Sequence, residues 1–436
     1  MSERTIRIGL AGLGTVGGGV AKLLDRHRDL LAQRCGARLE VGAVFARDRA
    51  KRRDLPLAGV RWHESPEALA SDPQVDVVVE LIGGSDGVAR TLVEAALRVG
   101  KPVVTANKAL IAHHGTALAR LAEASKTTLS FEASVAGGIP TIKALREGLA
   151  GNRIGAVHGI LNGTCNYILT EMQEGVRAGK PREFADVLAE SQRLGYAEAD
   201  PTMDIDGHDA AHKLAILTSV AFGCAVDLKS VHVEGIRHIS AVDIEYAMTL
   251  GYRIKLLCVS RSAAGGILQR VHPAMVSERS PIAHVDGVFN AVVTQGDFVG
   301  PSVFEGRGAG EGPTASAVVA DLVDLARGLR VPCFGVPVDR LTTLPPVPMA
   351  HHVGAYYIRL MVVDRPGVIA DVAACLRDEQ VSVESMLQRS RNPGEAVPVV
   401  LTTHDASEAS LTRALATIAR LGTVLEPPRM IRIESL

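Results

Sequence analysis

The chain is poor in aromatic residues and carries no excess of either charge. Aromatic side chains make up 3% of its 436 residues, and 47 basic residues nearly balance 48 acidic ones. Single-stranded nucleic acids are bound by stacking on aromatic rings, and duplexes and anionic membranes attract a basic excess. We therefore expect no nucleic-acid partner and no membrane partner.

Closely spaced cysteines and long apolar runs are also missing. The six cysteines are scattered, without a Cys-x-x-Cys pair or zinc-type spacing, a pattern typical of reduced thiols in the cytoplasm. No uncharged stretch approaches the ~20 mainly apolar residues that span a bilayer. Glycines interrupt the apolar run near the N-terminus, which argues against a signal peptide. The expected location is the cytoplasm.

A glycine-rich turn follows the first predicted strand, at 5–10. The turn is Gly12-Leu13-Gly14-Thr15-Val16-Gly17, and a helical pattern continues to Leu24. In this order, the first glycine permits the tight turn, the second admits a pyrophosphate, and the third lets the helix pack closely on the strand. The helix N-terminus favours the phosphates. The sequence therefore predicts an α/β, Rossmann-like domain that binds NAD or NADP.

The ends of later predicted strands carry polar residues. Arg47, after the second strand, can pair with a 2′-phosphate and favours NADP, whereas Asp48 keeps NAD possible; a solvated basic loop is the alternative. Lys108 follows another strand, and ligands of open α/β sheets bind at such ends. Lys108 is therefore expected to reach substrate or cofactor, unless it is a plain surface lysine.

An acidic segment leads into a predicted helix that ends near Leu217. Asp206 is the expected N-cap, and Asp209 falls in the first turn. Asp209 and Lys213 are four residues apart and share one helix face. Burial and a neighbouring carboxylate both change the pKa of an amine, so this pair is either catalytic or an ordinary surface ion pair.

Three further features have weaker interpretations. Cys165 has no histidine within six residues, so a nucleophilic thiol is not expected. His208 and His212 share a helix face but lack a third metal ligand in register, which favours surface histidines or histidines that support the site from behind its ligand-contacting residues. The glycine-rich turn after Glu132 exposes carbonyl oxygens that suit a hard cation, or simply crosses between domains.

Six motifs appear in order along the chain. They are GLGTVG at 12–17, TANK at 105–108, EASVAGGIP at 132–140, NGTCNYIL at 162–169, GYAEADPTMDIDGHDAAHK at 195–213 and GAGEGPTASAVVADL at 308–322. Over residues 5–335 the chain closely resembles the homoserine dehydrogenase family. The resemblance implies NAD(P)-dependent interconversion of L-homoserine and L-aspartate 4-semialdehyde, in threonine and methionine biosynthesis. No aspartate kinase domain precedes residue 1, so the bifunctional form of the enzyme is not expected.

The same resemblance implies roles for individual residues. Lys213 is the expected general acid/base, Asp209 its partner that holds substrate, and Lys108 an active-site lysine. Glu198 is the expected substrate-binding glutamate. Positions near the cofactor are Thr15, Val16, Gly195 and Gly310. The carboxylate of Glu132 and the carbonyls of Val135, Gly137 and Ile139 resemble the family's monovalent-cation site, for sodium or potassium.

The C-terminal part has a different pattern. Five prolines between Val331 and Met349 indicate a semi-rigid linker. The order βαββαβ that follows is ferredoxin-like, and DRPGVIADVA resembles an ACT domain. Behind a homoserine dehydrogenase, such a domain implies feedback by L-threonine, with Gly367 and Gln388 as ligand contacts; a module used only for subunit pairing is the alternative.

The expected domains follow from these patterns. They are a nucleotide-binding domain at 1–135, onto which 306–335 packs back, an α+β substrate and dimerisation domain at 136–305, a linker at 336–352, and the ACT domain at 353–436. A homodimer or homotetramer is expected. Two competing hypotheses are a sensor that binds NADP and an amino acid without turnover, and a thiol-dependent aldehyde dehydrogenase that uses Cys165.

Overall fold

The structure, a computed structural model, describes residues 4–49, 51, 54–263, 265–389 and 394–436. The N-terminal part forms a six-stranded parallel sheet in the order β3-β2-β1-β4-β5-β6. Its strands are β1 (Thr5–Ala11), β2 (Arg38–Phe45), β3 (Arg61–Trp62), β4 (Val77–Glu80), β5 (Val103–Thr105) and β6 (Leu129–Ser130). Its helices are α1 (Thr15–Arg26), α2 (Arg28–Cys35), α3 (Pro66–Ser71), α4 (Val88–Arg98) and α5 (Lys108–Ala124).

The rest of the chain is built around a second, mixed sheet. Its strands are β7 (Ile154–Ile160), β8 (His232–Val233), β9 (Tyr252–Ala263), β10 (Gly266–Ser277), β11 (Phe289–Gly296), β12 (Gly300–Arg307), β13 (Val353–Val363), β14 (Val383–Leu387), β15 (Ala396–Thr403), β16 (Ala406–Ser407) and β17 (Arg429–Glu434). The helices are α6 (Thr141–Lys143), α7 (Gly163–Arg177), α8 (Phe184–Arg193), α9 (Thr202–Ile205), α10 (His208–Phe222), α11 (Ala241–Thr249), α12 (Glu311–Ala326), α13 (Val368–Asp378) and α14 (Glu408–Ile418). Across the described ranges, none of the helices has the length and apolar character needed to cross a bilayer.

The glycines of the first turn are required by close backbone contacts. A Cβ atom on Gly12 would lie 2.4 Å from the carbonyl oxygen of Leu81, and one on Gly17 would lie 1.9 Å from that of Gly12. Gly12 also has a φ of 94°, which glycine adopts without strain. β4 is buried on both faces, as expected of a parallel sheet covered by helices. The predicted Rossmann-like fold is confirmed.

Helix α12 returns to the nucleotide-binding part of the molecule and packs on α1. The contact is close because Gly19 has no side chain: a Cβ atom there would lie 2.9 Å from the carbonyl oxygen of Glu311. Lys22 and Glu311 form an ion pair at 2.8 Å across the same contact. The chain therefore leaves the substrate-binding part beside α1, the helix that follows the glycine-rich turn.

The sequence did not predict how the C-terminal domain is attached. Strand β17 pairs in parallel with β10, with Ala274 opposite Arg432, and β17 also pairs with β13. The result is one 11-stranded sheet whose main path runs β12-β11-β7-β9-β10-β17-β13-β15-β14. The expected βαββαβ order is present as β13, α13, β14, β15, α14 and β17.

The proline-rich linker lies against this sheet. The amide of Ile267 donates to the carbonyl of Pro345 at 3.0 Å, and the amide of Val347 donates back to the carbonyl of Ile267 at 2.9 Å. A Cβ atom on Gly266 would lie 2.2 Å from the Pro345 oxygen. The linker is thus fixed along β10 by backbone hydrogen bonds as well as by its prolines.

Candidate active site

Helix α10 begins one residue later than the sequence predicts. The N-cap residue is Gly207, with a left-handed φ of 86°, so the expected N-cap at Asp206 is wrong. The carboxylate of Asp206 instead pairs with Arg237, with Nη2 and Oδ2 3.1 Å apart. Gly207 suits the turn because it lies close to Val233 and Val271. Asp209 stays in the first turn, as expected.

The carboxylate of Asp209 joins two lysines. Its Oδ2 atom lies 2.7 Å from Lys213 Nζ, and its Oδ1 atom lies 2.8 Å from Lys108 Nζ. Asp209 is 6% exposed and Lys213 8%. Burial acts to raise the pKa of Asp209, but the charges of Lys213 and Lys108 outweigh burial and hold the pKa well below its usual value. This geometry excludes an ordinary surface ion pair.

The two lysines differ in exposure and in partners. Lys213 Nζ also donates to the carbonyl of Leu161 at 2.7 Å, so one of its three N–H groups is left for a ligand. The Lys108 side chain is 42% exposed. Burial acts to lower the pKa of Lys108, but the charge of Asp209 outweighs it, so the net shift is upward and Lys108 stays charged.

Both lysines line a cavity of about 410 Å³ between the nucleotide-binding and substrate-binding parts. Gly195 and Gly310, expected near the cofactor, lie in its wall. Gly310 is also the N-cap residue of α12, the helix that contacts α1. The cavity therefore extends from the lysines to the start of α12. The residues of the glycine-rich turn, Leu13, Gly14, Thr15 and Val16 among them, are not part of its wall.

Two cavity residues were missed by sequence reasoning. Asn162 is the N-cap of α7, and its Nδ2 atom donates to Asp204 Oδ1 and to Asp209 Oδ2, each at 2.8 Å. Asp204 lines the cavity, and burial raises its pKa. An Asn-Gly pair before a helix does signal an N-cap, but its contacts with Asp204 and Asp209 depend on the tertiary fold.

Glu80 fixes the strand end that carries Lys108. This carboxylate is fully buried at the end of β4 and accepts hydrogen bonds from the amide of Ile82 at 2.7 Å and from Thr105 Oγ1 at 2.6 Å. The amide of Asn107 in turn donates to Thr105 Oγ1 at 2.9 Å. The ends of β4 and β5 are thereby held together directly before Lys108.

Two predicted residues lie outside the cavity wall. Glu198 is exposed, and its charge contributes to the raised pKa of Lys108. Arg47 is exposed just beyond the end of β2. Both remain predictions for bound substrate and cofactor, respectively.

Comparison with known proteins decides the family. Over 439 residues the chain is 44% identical to "Homoserine dehydrogenase" of Neisseria gonorrhoeae, covering 99% of each chain. Over 440 residues it is 44% identical to the protein of that name from Pseudomonas aeruginosa, covering 99% of this chain and all of the relative. The chain belongs to the homoserine dehydrogenase family.

Family models and solved structures agree with this assignment. The family model for homoserine dehydrogenase matches residues 140–323, the model for the homoserine dehydrogenase NAD binding domain matches residues 12–132, and the model for the ACT domain matches residues 356–422. A crystal structure of a homoserine dehydrogenase from Thiobacillus denitrificans aligns with a TM-score of 0.92 and 46% identity over 99% of both chains. A hyperthermophilic archaeal homoserine dehydrogenase in complex with NADPH aligns with a TM-score of 0.63 and 28% identity over 75% of this chain and 99% of that one. The chain is accordingly an NAD(P)-dependent oxidoreductase with a C-terminal ACT domain.

The segment expected to hold a cation has suitable oxygen atoms. The Glu132 side chain is buried and accepts backbone hydrogen bonds from Ile142 and Lys143. Burial, together with the charge of Asp321, raises the pKa of Glu132 to about 7. Within the described ranges, the carbonyls of Val135 and Gly137 accept no hydrogen bond. A buried carboxylate and two unpaired carbonyls in one short segment are oxygen ligands of the kind that a hard cation takes. The third expected carbonyl, that of Ile139, already accepts a hydrogen bond from the Thr141 amide at 2.8 Å.

The histidines and Cys165 do not form an alternative centre. In the described part of the chain, no three His, Cys, Asp or Glu side chains converge to hold a metal. Burial lowers the pKa of His212 to about 4, and its ring packs edge-on against His113. Burial raises the pKa of Cys165, whose Sγ atom lies 3.1 Å from the Asp204 carbonyl. A buried, protonated thiol is a poor nucleophile.

The two residues expected to bind an effector lie around one loop of the ACT domain. Gly367, with a φ of 94°, is the N-cap residue of α13. Gln388 Nε2 lies 3.5 Å from Asp364 Oδ1, three residues before Gly367 in the chain. The loop at 364–367 and the end of β14 therefore form one small polar surface.

Proposed function

We propose that Lys213 is the general acid/base with which this chain interconverts L-homoserine and L-aspartate 4-semialdehyde. The observation that carries this role is the buried Lys213–Asp209 pair in the wall of the cavity. Reduction of the aldehyde requires a proton at the nascent alkoxide oxygen. The Lys213 ammonium can donate that proton and stabilise the developing negative charge where water is scarce. Its neutral form accepts the hydroxyl proton in the reverse direction.

The other polar groups position the reactants. Asp209 orients Lys213 and, with Glu198, binds or orients the substrate, whose ammonium group suits a carboxylate. Lys108 stays charged beside Asp209 and contacts substrate or cofactor. The nicotinamide, when bound, supplies or accepts the hydride. Gly12 to Gly17 and the N-terminus of α1 suit its pyrophosphate.

Arg47 favours NADP. Its guanidinium lies beyond β2, where a 2′-phosphate would need a cation, and an archaeal relative was solved with NADPH. Asp48, next in the chain, keeps NAD as the second possibility.

Several finer assignments belong to the same proposal. Glu132 and the carbonyls of Val135, Gly137 and Ile139 would hold sodium or potassium. Gly367 and Gln388 would contact L-threonine, and the assembly would be a homodimer or homotetramer. Six unpaired thiols favour the cytoplasm. The division at 1–135 with 306–335, 136–305, 336–352 and 353–436 is supported by the packing of α12 on α1.

Initial rates with each nicotinamide test the proposal. The purified chain is mixed with aspartate semialdehyde and NADPH or NADH, with and without threonine, and nicotinamide absorbance is followed. Loss of absorbance with either cofactor is expected, faster with NADPH, and slower when threonine is added. A chain that binds NADPH but leaves its absorbance constant would instead be a sensor without turnover.

A further inference from the structure

The Asn162 side chain lies where three helices of the active site meet. It is 4% exposed and belongs to the N-terminus of α7, while its two carboxylate partners come from α9 and α10. Its Oδ1 atom accepts a hydrogen bond from the amide of Cys165 at 2.8 Å, the ordinary N-cap contact. Capping thus uses only the oxygen of the amide.

The nitrogen of the same amide has a second, separate role. Its two N–H groups are both used, one on Asp204 Oδ1 and one on Asp209 Oδ2. Hydrogen bonds to a carboxylate are charge-assisted and strong. A neutral side chain therefore lies between two carboxylates that would otherwise repel each other.

This contact also fixes the orientation of Asp209. Oδ2 is shared between Asn162 Nδ2 and Lys213 Nζ, which leaves Oδ1 for Lys108. Rotation of the carboxylate would break all three contacts at once. Asn162 thus determines which oxygen faces which lysine.

We propose that Asn162 is a positioning residue, which holds Asp204 and Asp209 in the orientation presented to the two lysines. The proposal rests on the roles proposed above for Asp209 and Lys213. Asn162 contacts the charged groups of Asp204 on α9 and Asp209 on α10. Asp209 in turn contacts Lys213 on α10 and Lys108 on α5, and Arg307 lines the same cavity. A negative charge at position 162 would therefore act on both lysines.

Two substitutions separate positioning from capping. Asp and Ser are both good N-cap residues, so Asn162→Asp and Asn162→Ser keep the contact with the Cys165 amide. Asn162→Asp loses both N–H donors and adds a negative charge. Asn162→Ser adds no charge, but its side chain is too short to contact both Asp204 and Asp209. Ser65→Asp is the matched control, because Ser65 caps α3 in the nucleotide-binding part.

Homoserine oxidation is measured against pH, with the thermal midpoint and NADPH binding for each variant. We expect both Asn162 variants to lower kcat about ten- to a hundredfold, with NADPH binding retained. The thermal midpoint should fall more for Asn162→Asp, which places a third carboxylate against Asp204 and Asp209, than for Asn162→Ser. Asn162→Asp should also move the rising limb of the pH profile, along which Lys213 loses the proton it must give up to act as a base, upward by about one unit, because a carboxylate favours the charged lysine. Ser65→Asp should behave like the parent.

The outcomes distinguish the two proposals. An active parent with folded Asn162 variants that keep its kcat and pH profile would overturn the positioning role alone. A parent without homoserine oxidation would overturn the proposed function itself. Folded variants in which only the thermal midpoint changes would assign Asn162 to capping and also overturn positioning.

Discussion

Two largely buried ionic clusters, one in the active site and one between domains, use different cations. The lysine cluster consists of Lys108, Lys213, Asp204 and Asp209, and it opens into the cavity. The arginine cluster lies at the β10–β17 pair and consists of Arg270, Arg432, Glu234, Glu408 and Glu434. Arg270 and Arg432 are each 1% exposed. The difference in cation follows the difference in task.

The arginine cluster joins two domains through fixed, paired contacts. Arg432 donates to Glu234 of the substrate-binding part at 2.9 Å and to Glu408 of the ACT domain at 2.7 Å. Arg270 on β10 donates to Glu434 on β17 at 2.5 Å. A guanidinium stays protonated and spans two carboxylates with its planar fork, whereas a lysine ammonium can release its proton. The molecule uses arginine for attachment and lysine at the centre proposed for proton transfer.

The largest expected effect is on the lysine cluster. Replacing Lys213 with Met removes the proposed proton donor, so kcat for semialdehyde reduction should fall by about 10²–10⁴-fold. NADPH binding and the thermal midpoint should change little, because Asp209 keeps Lys108 and Asn162 as partners. Steady-state rates and fluorescence titration measure both quantities, with exposed Lys180→Met as the control. A folded Lys213→Met that kept a tenth or more of the parent kcat would move the acid/base role to another group.

In the arginine cluster, substitution is expected to lower stability and not kcat. Arg432→Met leaves Glu234 and Glu408 without their shared cation and should lower the free energy of unfolding by about 3–5 kcal/mol. Arg432→Lys should lose less, because one charge remains without the fork. Urea unfolding measures the loss, and exposed Arg420→Met is the control. If Arg432→Met had the same free energy of unfolding as the parent but a lower kcat, the arginine cluster would serve catalysis, and the proposed difference between the two clusters would be wrong.

Sequence patterns predicted the contact in these clusters that joins residues close in the chain, and missed the contacts that join distant residues. Asp209 and Lys213 were predictable because four residues on a helix place two side chains on one face. Asn162 and Asp204 are 42 residues apart, and Arg432 and Glu234 are 198 apart. Such partners meet only when strands pair and helices pack, and no local periodicity encodes those contacts.

The glycine-rich motif and the ACT strand order were predictable for the same reason, because each lies within a short, continuous stretch. The N-cap of α10 was wrong because a carboxylate at Asp206 is a good cap in isolation, whereas the fold pairs that carboxylate with Arg237. The pairing of β17 with β10 was not predicted, because the sequence of an edge strand in a ferredoxin-like module does not indicate which strand of another domain it will pair with.

Glu132 is a buried carboxylate outside both clusters, and no arginine in the described part of the chain pairs with it. Because burial and Asp321 raise its pKa from 4.5 to about 7, its contribution to stability is full below pH 4.5 and is lost as pH rises through about 7. That contribution amounts to roughly 3 kcal/mol. Thermal midpoints from pH 5 to 8 in a tetramethylammonium buffer should therefore fall more for the parent than for Glu132→Gln.

Sodium or potassium should reduce this fall in the parent by neutralising the carboxylate, and should not affect Glu132→Gln. Equal pH dependence of the parent and Glu132→Gln would show that Glu132 does not titrate in this range. An equal effect of sodium on both proteins would show that the cation does not bind at Glu132.

The smallest effect is expected at Cys165, a neutral neighbour of the lysine cluster. Its thiol is fully buried with a raised pKa, so it is protonated at neutral pH and contributes one weak hydrogen bond to the Asp204 carbonyl. Serine keeps the donor and the approximate size, and Cys165→Ser should therefore change kcat by no more than about threefold. Iodoacetamide should leave the parent active, because alkylation requires a thiolate. A hundredfold loss of kcat in Cys165→Ser, with the thermal midpoint unchanged, would instead favour a thiol-dependent aldehyde dehydrogenase. Cys165 would then be a nucleophile, and not an uncharged side chain that only packs beside the lysine cluster.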